Sequence, residues 1–327
     1  MTRKNLTLLA VAAIAALALL GLALPRWLLF LCTMAASHGI VSVGILLIMR
    51  GGLVSFGQGM VFAIGGYAVA LSVTHLGISD VVVLMLIGTI AATIAGAAVG
   101  PLIARYSGIF FGMLTLALSM VLYGILIKST AMGGSDGFNI PRGTLLGMRL
   151  EGGTGDYILY VLTIVSTGLA SLAVAIHTRS ARGLVTQAVL GNSLRVEYLG
   201  VSVQSVMAMN FTLAAALGGL GGALTVLALG HIEPTFSYWT QSGEFVFVAI
   251  LAGAQSVVAV FVASLALELV RSFSNLYFPN TWQMALGLFL LAIILFLPAG
   301  IGSLWSRRAG GKSPEPKISA SEREAAR

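Results

Sequence analysis

Residues 244–273 read EFVFVAILAGAQSVVAVFVASLALELVRSF, an apolar stretch with three charges, Glu244, Glu268 and Arg271. A hydrocarbon core of roughly 30 Å takes about 20 apolar residues per helix, so this stretch is long for one crossing and short for two. Gly253-Ala254-Gln255-Ser256 interrupts it near the middle. The same rule gives spans near 6–24, 27–49, 53–74, 81–104, 107–128, 157–177, 205–230 and 282–303. If 244–273 is one helix, the spans number nine and the chain ends lie on opposite faces. Both ends are basic, with Arg3 and Lys4 at the start and Arg307, Arg308, Lys312, Lys317, Arg323 and Arg327 at the finish. Basic segments collect on the cytoplasmic face. Two short passes broken near Gly253 put both ends there with Arg50, Arg105, Arg179, Arg182 and Arg195, thirteen of the 18 basic residues. The expectation is an all-α polytopic membrane protein of about ten transmembrane helices, some short or interrupted, with N- and C-termini cytoplasmic. A re-entrant pass at 244–273 is the competing form.

Composition points the same way. The chain is 58% hydrophobic and 9% charged, with a mean hydropathy of +0.99. Soluble domains carry roughly 25% charged residues to meet water. The net charge of +7 reads as topology signals plus a basic tail, not as a nucleic-acid surface. The first apolar run is long for a signal peptide and a second follows at once, so a retained helix is expected. Cys32 is the single cysteine and excludes a disulfide within the chain. The domain reading is a transmembrane unit over 1–305, with an outer loop at 129–156 and an inner loop at 178–204. A disordered basic tail covers 306–327.

No catalytic, cofactor or metal site is expected. Of the 11 carboxylates only Glu268 falls inside an apolar run, three residues from Arg271 on the same helical face. The reading is an ion pair near the outer interface; intramembrane ionisable groups otherwise mark proton relays. His75, His177 and His231 sit at span ends, without metal-site spacing. His38 falls within the second span, where it either lines a polar pathway or makes a helix-packing hydrogen bond. Ser306 to Ser313 resembles a phosphate loop with its first glycine replaced, but it follows a membrane span instead of a strand and runs into Pro314. If ATP is used, another chain hydrolyses it.

Polar and small residues enter the third span at Arg50-Gly51-Gly52-Leu53-Val54-Ser55-Phe56-Gly57-Gln58-Gly59. An unwound start would expose backbone to a polar pathway, with Ser55 and Gln58 as candidates; close packing of small residues is the other reading. Gly218-Gly219-Leu220-Gly221-Gly222 reads as packing. In the inner loop, Ser180 can cap a helix, Leu184, Val185, Ala188, Val189, Val196 and Leu199 recur at near-helical spacing, and Gly200 can end it. Such a helix, bearing Arg195 and Glu197, would lie on the membrane or dock on a partner.

Six segments follow one another along the chain: Gly52-Leu53-Val54-Ser55-Phe56-Gly57-Gln58-Gly59, Phe62-Ala63-Ile64-Gly65-Gly66-Tyr67-Ala68, Thr178-Arg179-Ser180-Ala181-Arg182-Gly183, Ala214 to Leu224, Thr240-Gln241-Ser242-Gly243-Glu244 and Phe296-Leu297-Pro298-Ala299-Gly300. Taken in this order, they resemble the permeases of bacterial ABC importers for branched-chain amino acids. Gly133-Gly134-Ser135-Asp136-Gly137 with Ile140-Pro141 resembles the LivM-type subunit in particular. The resemblance covers roughly 35–305. It implies a second, LivH-like permease subunit, two cytoplasmic ATP-binding subunits, a periplasmic solute-binding protein, and residence in a bacterial inner membrane. It makes 178–204 the ATPase coupling loop, with Arg182, Gly191, Asn192, Arg195, Glu197 and Gly200 as contact candidates. Ser135 and Asp136 become candidates for binding-protein contact. The implied solute is a branched-chain amino acid, and urea and short-amide systems share much of the pattern. An ion-coupled secondary transporter would need an essential intramembrane charge, for which Glu268 is the candidate. Leu190-Gly191-Asn192-Ser193 departs from the charged stretch usual in the coupling segment, and Gly253-Ala254-Gln255-Ser256 thins the usual glycine-proline break.

Overall fold

The computed structural model describes residues 3–145, 147–149, 152–253, 256–296 and 300–302. The basic tail at 306–327 and residues Ala254, Gln255 and Leu297 to Ala299 lie outside the described residues. The first five helices are α1 (Arg3–Leu20), α2 (Arg26–Met49), α3 (Gln58–Leu76), α4 (Val81–Ile103) and α5 (Ile109–Lys128). After three two-residue strands, β1 (Phe138–Asn139), β2 (Thr144–Leu145) and β3 (Met148–Arg149), come α6 (Gly152–Thr178), α7 (Ala181–Gly191), α8 (Ser193–Tyr198) and α9 (Val203–Leu229). Strand β4 (His231–Ile232) precedes a 3-10 turn (Pro234–Ser237), α10 (Trp239–Ala252), α11 (Val257–Tyr277) and α12 (Trp282–Phe296). Among the described residues, seven helices, α2 to α6, α9 and α11, are long and apolar enough to cross a membrane. Helix α10 has 14 residues and α12 has 15, and at 1.5 Å per residue each spans only about 21–23 Å.

Helix α2 is the axis of the bundle, with 94% of its most apolar window buried. Such burial demands that its polar groups be satisfied locally. Thr33 and Ser37 donate to the carbonyls of Leu29 and Thr33, each at 2.8 Å, and Ser42 donates to His38 O at 3.1 Å. Helix α9 packs against it, and against α3 and α4, through glycines. A methyl group at Gly222 would fall on the Phe62 carbonyl, and one at Gly65 on the backbone of Gly219. The glycine cluster in α9 is therefore packing, as its composition suggests. On the other side, Ser264 of α11 donates to Ala35 O at 2.7 Å, drawing α11 onto α2.

Two helix starts differ from the sequence expectations, and the break within 244–273 falls where it was expected. The third span was expected from residue 53, but α3 begins at Gln58 and 53–57 carry no helix. Gly52 takes φ +83°, a left-handed turn that glycine adopts without strain. The next amides then go to side chains: Phe56 N to Thr115 Oγ1 at 3.1 Å and Gly57 N to Ser55 Oγ at 3.2 Å. The sixth span starts at Gly152, five residues earlier than expected. The stretch 244–273 lies in two helices, with α10 ending at Gly253 (φ +78°) and α11 capped by Ser256, whose hydroxyl accepts from Ala259 N at 3.4 Å.

Candidate functional site

Two interrupted elements meet inside the bundle. Gly59 N, in the first turn of α3, donates to Ser242 Oγ of α10 at 2.9 Å. The 3-10 turn before α10 reaches α5, where Ser119 donates to Ser237 O at 2.7 Å. Pairing of β1 with β4 ties the loop before α6 to the segment that leads into this turn. A helix that starts inside the protein directs its positive dipole end there, and at α3 the Gly59 amide of the first turn is taken by Ser242. Ser55 and Gln58 are both fully buried at this junction. Ser55 is spent on Gly57 N, whereas neither Gln58 Nε2 nor Oε1 has a hydrogen-bond partner among the described residues.

Beside the junction lies a charged cluster. His38 Nδ1 of α2 is 3.1 Å from Glu268 Oε1 of α11, and both side chains are about one-tenth exposed. Arg271 Nη1 of α11 donates to Glu244 Oε2 of α10 at 3.1 Å, and Gln241 Nε2 approaches the same oxygen at 3.5 Å. The Arg271 guanidinium also lies over the Trp282 ring of α12, 5.4 Å from its centroid. These groups, with Phe245, Val248, Ser264 and Leu267, line a cleft of about 10 Å³, close to the room one water takes. An aromatic wall joins cluster and junction: Phe245 is 5.5 Å from His38 and 5.1 Å from Phe62, and Phe62 is 5.4 Å from Phe236.

The cluster overturns two expectations. Glu268 was expected to pair with Arg271, and instead each reaches a different helix. Only Glu268 was expected inside an apolar run, yet Glu244 also lies within the bundle, in the second turn of α10, with its side chain 17% exposed. The signal available in the sequence was the interruption at 253–256. It folds α10 and α11 back on each other and brings residues 27 positions apart together. Among the described residues, no group of three or more His, Cys, Asp or Glu side chains is arranged to hold a metal.

The other candidate residues lie in two exposed regions. The inner-loop helix is broken in two at Asn192, whose Oδ1 accepts from Arg195 N at 3.0 Å and caps α8. Arg182, Gly191, Arg195 and Glu197 are exposed, and Gly200 ends the unit with φ +81°. Leu190, Leu194, Tyr198 and Leu199 are exposed on the same pair of helices, Tyr198 at 90% and Leu199 at 82%. Helix α7 is held down by Asn210 of α9, whose Nδ2 donates to Thr186 Oγ1 at 2.9 Å in a buried contact. Ser135 and Asp136 are exposed on the loop before β1, with Ser135 Oγ donating to Asp136 Oδ1 at 2.9 Å.

Residues 27–297 match the family described as branched-chain amino acid transport system / permease component. The chain belongs to this family. It is thus a multi-pass membrane protein of a transport class, not an enzyme. Its relatives include the high-affinity branched-chain amino acid transport permease LivM of Salmonella typhimurium, 25% identical over 299 residues, 83% of this chain and 69% of that protein. The LivM of Escherichia coli is 26% identical over 277 residues, and this chain spans 64% of its length. BraD of Pseudomonas aeruginosa, a permease of the same description, is 24% identical over 285 residues, covering 82% of this chain and 92% of BraD. No solved structure matches.

Proposed function

We propose that this chain is a permease subunit of an ABC importer, forming with a second permease subunit the pathway for branched-chain amino acids or a related small polar solute. The family match over 27–297 carries the reading. Two features of the chain support it. The pathway residues are Ser55, Gln58 and His38, at the broken start of α3 and the aromatic wall beside it. The docking platform is α7–α8, whose exposed Leu190, Tyr198 and Leu199 with Arg195 and Glu197 suit a groove on a cytoplasmic ATPase. Ser135 and Asp136 on the opposite loop contact a periplasmic solute-binding protein. The subunit is LivM-like, after its outer-loop sequence.

In this reading the chain crosses a bacterial inner membrane ten times, with α1, α10 and α12 added to the seven long spans. Both ends are then cytoplasmic, as the basic residues require. Short helices are tolerated where they line a cavity within the protein. The decisive experiment reconstitutes the chain with its co-expressed partners in vesicles and measures uptake of branched-chain amino acids. Uptake should need ATP hydrolysis by the partner subunits. Uptake that persists after those subunits are removed would sink the proposal.

The buried His38–Glu268 pair favours one rival, an ion-coupled secondary transporter, because intramembrane ionisable groups drive such coupling. Glu268→Gln separates the two. Abolished uptake with intact ATPase coupling supports the rival, and retained ATP-driven uptake removes it. Permeases for urea or short amides are the rival within the family.

A further inference from the structure

Gln58 is the first residue of α3, a 19-residue helix, and its side chain is fully buried with both amide atoms unpartnered among the described residues. Buried amides are nearly always hydrogen-bonded, because leaving them bare forfeits their hydration. Gly57 precedes it as the N-cap and supplies no side-chain acceptor, and the first turn contains no acidic residue. The positive end of the helix therefore carries no compensating negative charge of its own, which is the arrangement that takes up an anion. Space beside the amide is kept by a glycine on α9: a methyl at Gly218 would stand 3.1 Å from Gln58 Oε1.

The charge on the far side of the aromatic wall sets the polarity. There Glu244 and Glu268 face one guanidinium, that of Arg271, and the imidazole of His38. A solute bearing both charges is thus drawn with its carboxylate toward α3 and its cationic end toward the carboxylates. We infer that the first turn of α3, with Gln58, is a subsite for the carboxylate of the transported solute. The inference rests on the permease reading, and it decides within it: urea and neutral amides offer this subsite only an uncharged carbonyl oxygen, where a carboxylate brings a full negative charge. In the arrangement described here the amide is closed off, so the subsite opens when α3 and α9 separate during transport.

The test uses the purified transporter with all its membrane and ATPase subunits but no binding protein, so that solute selectivity belongs to the permease. Equilibrium binding of radiolabelled L-leucine is compared with that of L-leucinamide and of urea. L-leucine is expected to bind at least about tenfold more tightly than leucinamide, the scale of one hydrogen bond to a charged group. Gln58→Glu, near-isosteric and repulsive to a carboxylate, should bring the two affinities together while leaving the thermal melting profile close to that of the wild type. Equal binding of leucine and leucinamide by the wild type, binding of urea instead, binding of neither, or an unchanged ratio in Gln58→Glu each overturns the inference. The leucine-to-leucinamide ratio of the wild type needs no variant, so a folding defect in Gln58→Glu cannot shield it. The permease reading fails separately, on the loss of ATP dependence described above.

Discussion

Nδ1 of His38 lies 3.1 Å from Oε1 of Glu268, so that an imidazole on α2 and a carboxylate on α11 meet in the apolar interior. The contact is possible because α11 sits close against α2: a methyl at Gly39 would strike the Phe261 ring, and Ser264 donates to Ala35 O at 2.7 Å. Breaking a buried pair leaves one polar group stranded, whereas replacing both with apolar side chains does not. Glu268→Ala is therefore expected to destabilise the protein by about 3 kcal/mol. The double variant His38→Phe/Glu268→Leu should recover most of that loss. Thermal unfolding in detergent, followed by tryptophan fluorescence, reads both. An alanine variant that melts with the wild type would mean the pair contributes nothing.

The neighbouring Arg271–Glu244 contact is more open, with side chains 32% and 17% exposed. Solvent screening and competition from the Trp282 ring reduce its worth. A double-mutant cycle with Glu244→Gln and Arg271→Met should return a coupling of only about 1 kcal/mol. A coupling near zero would assign the α10–α11 hairpin to apolar packing alone.

How far the sequence could be read is visible in these two pairs. The break that separates α10 from α11 was legible, because Gly253, Gln255 and Ser256 stand in an apolar run and few helices tolerate such a group. Gln58 was legible for the same reason, an amide among apolar residues. The partners of Glu268 and Arg271 were not. Helical spacing puts the two on one face three residues apart, and sequence offers no competitor at that range. Each instead finds a partner on another helix, because α2 and α10 both pack against α11. Such a choice is made by tertiary packing, and no local pattern encodes it. The unwound stretch 53–57 was missed in part for a similar reason: its amide at Phe56 is satisfied by Thr115, a residue 59 positions away.

Glycines at helix crossings give a prediction with an internal control. Gly65, Gly219 and Gly222 lie where α3, α4 and α9 cross closely, and a methyl at any of them overlaps a neighbouring helix. At Gly124 of α5 nothing lies within 4 Å of such a methyl. Gly222→Ala should cost about 3 kcal/mol or more, as overpacking against backbone does, while Gly124→Ala should be neutral or slightly stabilising through helix propensity. The amount of monodisperse protein recovered from membranes, together with its melting temperature, distinguishes the two. Equal recovery of both variants would contradict the close crossing of α3 and α9.

Asn192 offers the sharpest test of the docking platform. Its Oδ1 accepts from Arg195 N at 3.0 Å and caps α8, a helix of only six residues. Losing an N-cap costs about 1 kcal/mol, which a six-residue helix has little means to absorb. Asn192→Ala should therefore fray α8 and scatter Tyr198 and Leu199, while the bundle, which α8 touches mainly through the buried Val196, melts as before. If α7–α8 docks on an ATPase, the variant will lose co-purifying ATPase subunit and transport-coupled hydrolysis together. Asn192→Asp, which keeps the cap, should retain both. A variant with frayed α8 and undiminished ATPase association would move the docking surface elsewhere on the chain. Loss of association in the aspartate variant as well would assign the effect to the amide itself and not to the helix it starts.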